Sequence, residues 1–195
     1  MDLEEGALLV SLARKAVEHY FATEKLYNPG GRGSSEKRGV FVSIYTHPAK
    51  DLRGCIGFVN PDMPLDEATA RAALAAAFDD PRFPPITPEE LSRVVFEVSV
   101  LTPPEPVDAE SRHELPARIE VGKDGLILET PYGSGLLLPQ VPVEYGWNAE
   151  EYLSHLCVKA GLNPTYWVYG KMRLSKFRAE VFSEVEPGGA VVRRQ

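Results

Sequence analysis

Arg53 and Cys55 are the residues of this chain best placed to do chemistry. They lie two apart in Leu52-Arg53-Gly54-Cys55-Ile56-Gly57. In an extended strand, residues two apart share a face, with Cα atoms about 6.6 Å apart. A guanidinium at that range favours the thiolate form of a cysteine. At an effective dielectric of about 20 the pair interacts by about 2–3 kcal/mol, enough to leave the thiol partly ionised near neutral pH. Such a thiolate is a nucleophile or a soft ligand. Gly54 and Gly57 flank the cysteine, and glycine inside a strand marks a close approach of backbone or ligand. Both are therefore candidate ligand contacts that leave Cys55 accessible. The plain alternative is that Cys55 is a small buried hydrophobe.

Other candidates lie further along the chain. Glu97 sits among apolar neighbours in Val94–Leu101. If its strand borders the hexapeptide, Glu97 faces Arg53 or Cys55, either as a register-fixing ion pair or as a general base. Arg82 stands in a proline-bounded loop that could hold its guanidinium rigid for an anionic group. Lys171, Arg173, Lys176 and Arg178 lie close to Tyr166, Trp167 and Tyr169, a pattern suited to nucleic acid. A solvated edge strand guarded by cations explains the same residues. The spacing of Cys55, Cys157 and the four histidines supplies no metal-ligand cluster.

These residues need elements to position them. Ala7 to Tyr20 repeats apolar residues at helical spacing, so residues 3–22 read as a helix capped by Asp2, with Arg14 on its polar face. Asn28 to Ser35 is a glycine-rich loop without a P-loop ending. Val40–Tyr45 and Leu52–Val59 read as strands, and Pro64–Phe78 as an alanine-rich helix. Arg93–Leu101 alternates as a strand. Ile119–Val121 and Leu126–Glu129 read as a hairpin around Gly122–Gly125. Gly135–Pro139 is short and extended, and Asn148–Ala160 is a capped helix. Trp167–Phe182 reads as a long extended segment whose alternation changes phase near Leu174–Lys176. The order is not a regular β-α alternation, which points to an α+β fold with a mixed or antiparallel sheet.

The composition fits an ordinary globular chain, with 195 residues, 44% hydrophobic and 25% charged. A net charge of -7 opposes nucleic acid over most of the surface. No apolar run approaches the roughly 20 residues of a membrane span. The acidic start lacks the pattern of a leader. A cytoplasmic protein with reduced thiols is the expectation.

The hexapeptide also carries a resemblance. With Asp80-Pro81-Arg82-Phe83-Pro84-Pro85, Glu97-Val98-Ser99-Val100-Leu101, the Val121-Gly122 to Gly125 turn, and Leu138-Pro139-Gln140-Val141 followed by Glu144 and Gly146-Trp147, it resembles the AMME chromosomal region candidate gene 1 protein family. The likeness runs from about Ala7 to Ser183 and departs at none of these positions. It implies one AMME-type domain over residues 1–195, with a larger sheet-and-helix lobe and a smaller lobe. The hexapeptide would face a groove between them, and Gln140 joins the candidate ligand contacts. The family is associated with Memo-like and radical SAM proteins, which become expected partners, and it implies no particular reaction. The reading favoured is a small-molecule-binding protein or cysteine-dependent enzyme using Cys55, Arg53 and Glu97. A protein-interaction module and nucleic-acid binding through Lys171–Arg178 are the alternatives.

Overall fold

The structure is a computed structural model that describes residues 1–30, 36–59 and 62–194. Gly31 to Ser35 of the glycine-rich loop lie outside the described residues. The fold is α+β, and the chain divides into two compact units. One holds Met1–Leu101 with the C-terminal stretch from Glu180, and the other holds Thr102–Ala179.

The first unit is a five-stranded sheet covered on one face by two helices. Its strands are β1 (Val40–Thr46), β2 (Leu52–Phe58), β3 (Val94–Leu101), β8 (Ala179–Glu184) and β9 (Val191–Arg194), in the order β2-β1-β3-β8-β9. The helices are α1 (Leu3–Thr23) and α2 (Leu65–Phe78). Strand β1 pairs antiparallel with both β2 and β3. Alternation decides the faces. Val40, Val42 and Ile44 of β1, with Phe96, Val98 and Val100 of β3, are fully buried. They form one core with Val10, Ala13 and Val17 of α1 and Leu65, Ala68 and Ala72 of α2. The alanines let α2 lie very close to the sheet. A Cβ on Gly54 would overlap the Ala76 carbonyl, so this glycine serves helix packing.

Helix α1 begins on a capping box made by Asp2 and Glu5, as expected of Asp2. Arg14, expected on the polar face, is instead buried. Its Nε and Nη2 each lie 2.6 Å from a Glu184 carboxylate oxygen. It also donates to the carbonyls of Val94 (2.7 Å) and Leu91 (3.1 Å). Glu184 accepts the Phe96 N–H as well, at 2.9 Å. One ion pair thus ties α1, β3 and β8 together inside the core.

The second unit has a four-stranded antiparallel sheet in the order β4-β7-β5-β6. These are β4 (Glu105–Pro106), β5 (Gly125–Thr130), β6 (Gly133–Leu137) and β7 (Arg173–Phe177). Helix α4 (Ala149–Lys159) packs on it through Leu153, Leu156 and the buried Tyr152. Two short helices, α3 (Gln140–Tyr145) and α5 (Tyr166–Tyr169), complete the unit. The hairpin lies one element later than its sequence pattern indicated. Ile119 ends a 3-10 helix that starts at Arg112, and the true partners are β5 and β6. The segment from Trp167 is not continuously extended: α5 precedes β7, and β7 and β8 are separate strands joined at Arg178. Among the described residues no helix is long and apolar enough to cross a membrane.

Removing one partner of a buried ion pair leaves the other charge stranded. Glu184→Ala is therefore expected to lower stability by about 3–5 kcal/mol in urea unfolding, because Arg14 and the Phe96 N–H lose their acceptor together.

Candidate functional site

Strand β2 forms one edge of the five-stranded sheet. An edge strand presents unpaired backbone groups, and proteins cover or block them. Here the segment after α2 does so. The Cys55 N–H donates to Asp80 Oδ2 at 2.9 Å. Arg82 donates to both Asp80 oxygens, at 3.0 and 2.8 Å, and approaches the Cys55 carbonyl at 3.4 Å. An acid and a base two residues apart thus stand in for the missing neighbour strand at Cys55. Asp80 also accepts the Arg82 N–H at 3.1 Å, the local turn an aspartate makes two residues on. Its carboxyl is only 2% exposed, and the Arg82 guanidinium holds it well below the usual carboxylate range.

Arg53 belongs to the same clasp. Its Nε and Nη2 bind Glu90 at 2.8 and 3.1 Å, and its Nη1 and Nη2 reach the carbonyls of Pro84 (2.8 Å) and Pro85 (3.3 Å). The expected thiolate-promoting role of Arg53 is therefore not what the geometry provides. The long side chain passes over the strand edge and is consumed by the 84–90 segment. Arg82, and not Arg53, is the cation that acts most on the thiol. Burial pushes the Cys55 thiol up. A hydrogen bond from Ser43 and the charge of Arg82 oppose this without overcoming it. Cys55 is a neutral, half-buried thiol at rest.

The expectation that Glu97 lies in a strand next to the hexapeptide is also corrected. Strand β1 intervenes, and Ser43 is the register partner of both Cys55 on β2 and Glu97 on β3. The three residues form a row across the sheet, on the face opposite α1 and α2. Ser43 Oγ donates to Cys55 Sγ at 3.1 Å. Tyr45 shares this face. Burial raises the Glu97 carboxyl above its ordinary value. The charges of Arg194 and Lys50, and hydrogen bonds from Ser183 and Tyr45, pull against that. Burial, then the charge of Glu97, raises the Tyr45 phenol too.

The remaining candidates fall elsewhere. Gly54 makes room for α2, as described. Gly57 seats the Phe41 ring and the Val40 carbonyl, so neither glycine opens space beside the thiol. Arg82 remains half exposed while it holds Asp80, and its guanidinium lies 5.4 Å from the Phe83 ring centre. Gln140 is exposed at the start of α3, in the second unit. In that unit Asp124 is completely buried and is bound by Arg178 (3.0 Å) and Lys176 (3.4 Å). Burial alone would raise Asp124, but the Glu120 N–H and these two cations hold it below the usual range. Half of the basic stretch is thus committed to an internal acid. Strand β7 is also an inner strand rather than an edge. Among the described residues no group of three or more His, Cys, Asp or Glu could hold a metal ion.

Four residues of the row and the clasp are not singled out by the sequence reading. Ser43 and Tyr45 follow Phe41 at a spacing of two, which marks one face of β1, but the apolar run around them masks it. Asp80 was readable from Asp-Pro-Arg, where an aspartate can bond the N–H two residues later. Ser183 carries no such signal.

The AMMECR1 family model matches residues 10–182. The chain belongs to the AMMECR1 family. A Methanocaldococcus jannaschii protein is 49% identical over 196 residues, covering 100% of this chain and 98% of its own. A Thermofilum pendens protein is 51% identical over 205 residues, covering 100% and 96%. The crystal structure of the uncharacterized protein PH0010 from Pyrococcus horikoshii is similar with a TM-score of 0.85. It is 48% identical and covers 100% of this chain and 98% of that one. In this family member the hexapeptide and the Asp80–Pro85 stretch are two halves of one clasp.

The clasp predicts a pH dependence. Asp80 has a depressed pKa in the fold, so its stabilisation is complete above the unfolded value of about 4 and fades as pH falls from there. Asp80→Asn is expected to cost about 1–2 kcal/mol at pH 7, tempered by solvent around Arg82. Denaturant melts across pH 2–7 should show the difference from the natural chain shrinking below about pH 4.

Proposed function

We propose that this AMMECR1-family protein binds a small molecule over the Cys55–Ser43–Glu97 row, and that Cys55 is the group that reacts there. Glu97 takes the proton. The observation that carries this reading is the register of β2, β1 and β3, which puts a thiol, a hydroxyl and a carboxyl in one line. They lie on the face that α1 and α2 do not cover.

The electrostatics support the roles. A carboxyl raised by burial is closer to the operating pH, where a general base or acid works best. A neutral thiol becomes a nucleophile when its proton is removed, and Ser43, bonded to the thiol at 3.1 Å, stands in register between it and Glu97. Arg53 and Arg82 take positioning roles: they fix the edge strand that bears the thiol. Half-burial of Cys55, Tyr45 and Glu97 leaves them reachable by a ligand while water is partly excluded.

Native mass spectrometry of the protein freshly purified from its own cells is the test. A small-molecule adduct is expected on the natural chain, with its occupancy at least about tenfold lower in Glu97→Gln. A ligand-free natural chain, or an adduct indifferent to Glu97→Gln and Cys55→Ala, would contradict the reading.

A further inference from the structure

The chain leaving α1 and the first turns of α2 enclose a cavity of about 350 Å³, within the size range of small-molecule sites. It lies on the helical side of the five-stranded sheet, away from the Cys55 row. Local physics builds its walls. Helix α1 ends at Thr23, and Glu24 caps it in the left-handed region with φ 57°. Tyr27 then packs on the core and meets the His19 ring edge-on at 5.5 Å. Asn28 Oδ1 accepts the Gly30 N–H at 2.9 Å, a local turn that fixes this segment. From α2, Glu67, Ala70, Arg71 and Leu74 recur at intervals of three and four, so one face of the helix forms the other wall.

Charge distinguishes the floor. Asp66 lines the cavity although it is only 4% exposed. Its Oδ1 accepts the Glu67 N–H at 2.7 Å. Among the described residues its Oδ2 has no donor, yet every fully buried side-chain oxygen there has one. Oδ2 therefore opens to the cavity. The Glu67 carboxylate is already taken, because its Oε1 binds Arg71 Nε and Nη2 at 3.1 and 2.8 Å. That pair cancels, so Asp66 leaves the cavity with a net negative charge. The positive end of α2 offsets about half a charge of it. The rest of the lining is largely carbon, from Leu26, Tyr27, Pro64 and Leu74.

We propose that this cavity binds a small primary amine, with its ammonium on Asp66 and its carbon body against Leu26, Tyr27 and Leu74. An ammonium has three donors and no acceptor, which suits a carboxylate with one oxygen unused. Hydrogen bonds between two charged groups are the strong ones. A carboxylate ligand meets the wrong charge, since Arg71 is held by Glu67. A metal ion wants about six oxygens, and among the described residues no acidic cluster supplies them. The site is separate from the proposed reaction at Cys55, which sits on the opposite face of the sheet.

The test is a titration of the full chain, followed by amide chemical shifts, with three probes of one shape. These are 2-phenylethylamine, 2-phenylethanol and 3-phenylpropionate. The amine should shift the amides of Tyr27, Asp66 and Ala70, and bind at least about tenfold tighter than the alcohol or the acid. Asp66→Asn should weaken the amine at least about tenfold and leave the alcohol unchanged. Arg71→Ala, at a half-exposed position, frees Glu67 and should tighten the amine at least about twofold. Cys55→Ala should bind it like the natural chain. Equal affinity for the three probes, or no shift at these amides up to about 10 mM amine, overturns the proposal. So does a folded Asp66→Asn that binds the amine unchanged. If Asp66→Asn does not fold, Arg71→Ala decides: an amine affinity that stays the same or falls overturns the site. None of these outcomes bears on adduct formation at Cys55.

Discussion

The Asp80 carboxylate is the constraint on which this site depends. It accepts the outward N–H of Cys55 and both arms of Arg82, and it does so almost completely buried. Without it the edge of β2 would have an unpaired donor beside a charged guanidinium. With it, the edge is closed, and the strand that carries the thiol has a fixed height and twist against β1. Within the sheet, Cys55 is in register with Ser43, and Ser43 with Glu97.

The clasp also separates architecture from chemistry within one hexapeptide. Arg53 and the Cys55 backbone face the loop between α2 and β3. Gly54 faces α2, whose Ala76 carbonyl occupies the space a side chain would need. Ile56 packs against the core. The Cys55 side chain is the one polar group of the motif turned toward the row, where its thiol accepts a hydrogen bond from Ser43. A stretch that looks like a single reactive motif is thus mostly a bracket, and its thiol is held neutral by burial.

Much of this was legible in the sequence. The alanine pattern of α2, the capping residues Asp2 and Asn148, and the alternation of β3 each follow from local physics, and all three appear as expected. The shared face of Arg53 and Cys55 was also predictable from strand geometry. What failed was long-range. Residue spacing cannot say that β1 lies between the hexapeptide and Glu97, because strand order is set by tertiary packing. Nor can it say that a guanidinium reaches over an edge to Glu90, 37 residues on. Arg14 was misread for the same reason: helical periodicity places it on the polar side, yet Glu184, 170 residues away, makes its burial favourable. The hairpin was misplaced because the Asp124-Gly125 turn signal is real, but Asp124 is drawn inward by Lys176 and Arg178 instead of heading a two-residue turn.

Amide hydrogen exchange at Cys55 tests the clasp most directly. An outward N–H on an edge strand exchanges quickly unless something holds it. Here the Cys55 amide should be as slow in the natural chain as its paired neighbours in β1. In Asp80→Ala it should exchange at least about tenfold faster relative to those neighbours. A Cys55 amide that exchanges freely in the natural chain, or one that stays equally protected in Asp80→Ala, would contradict the account.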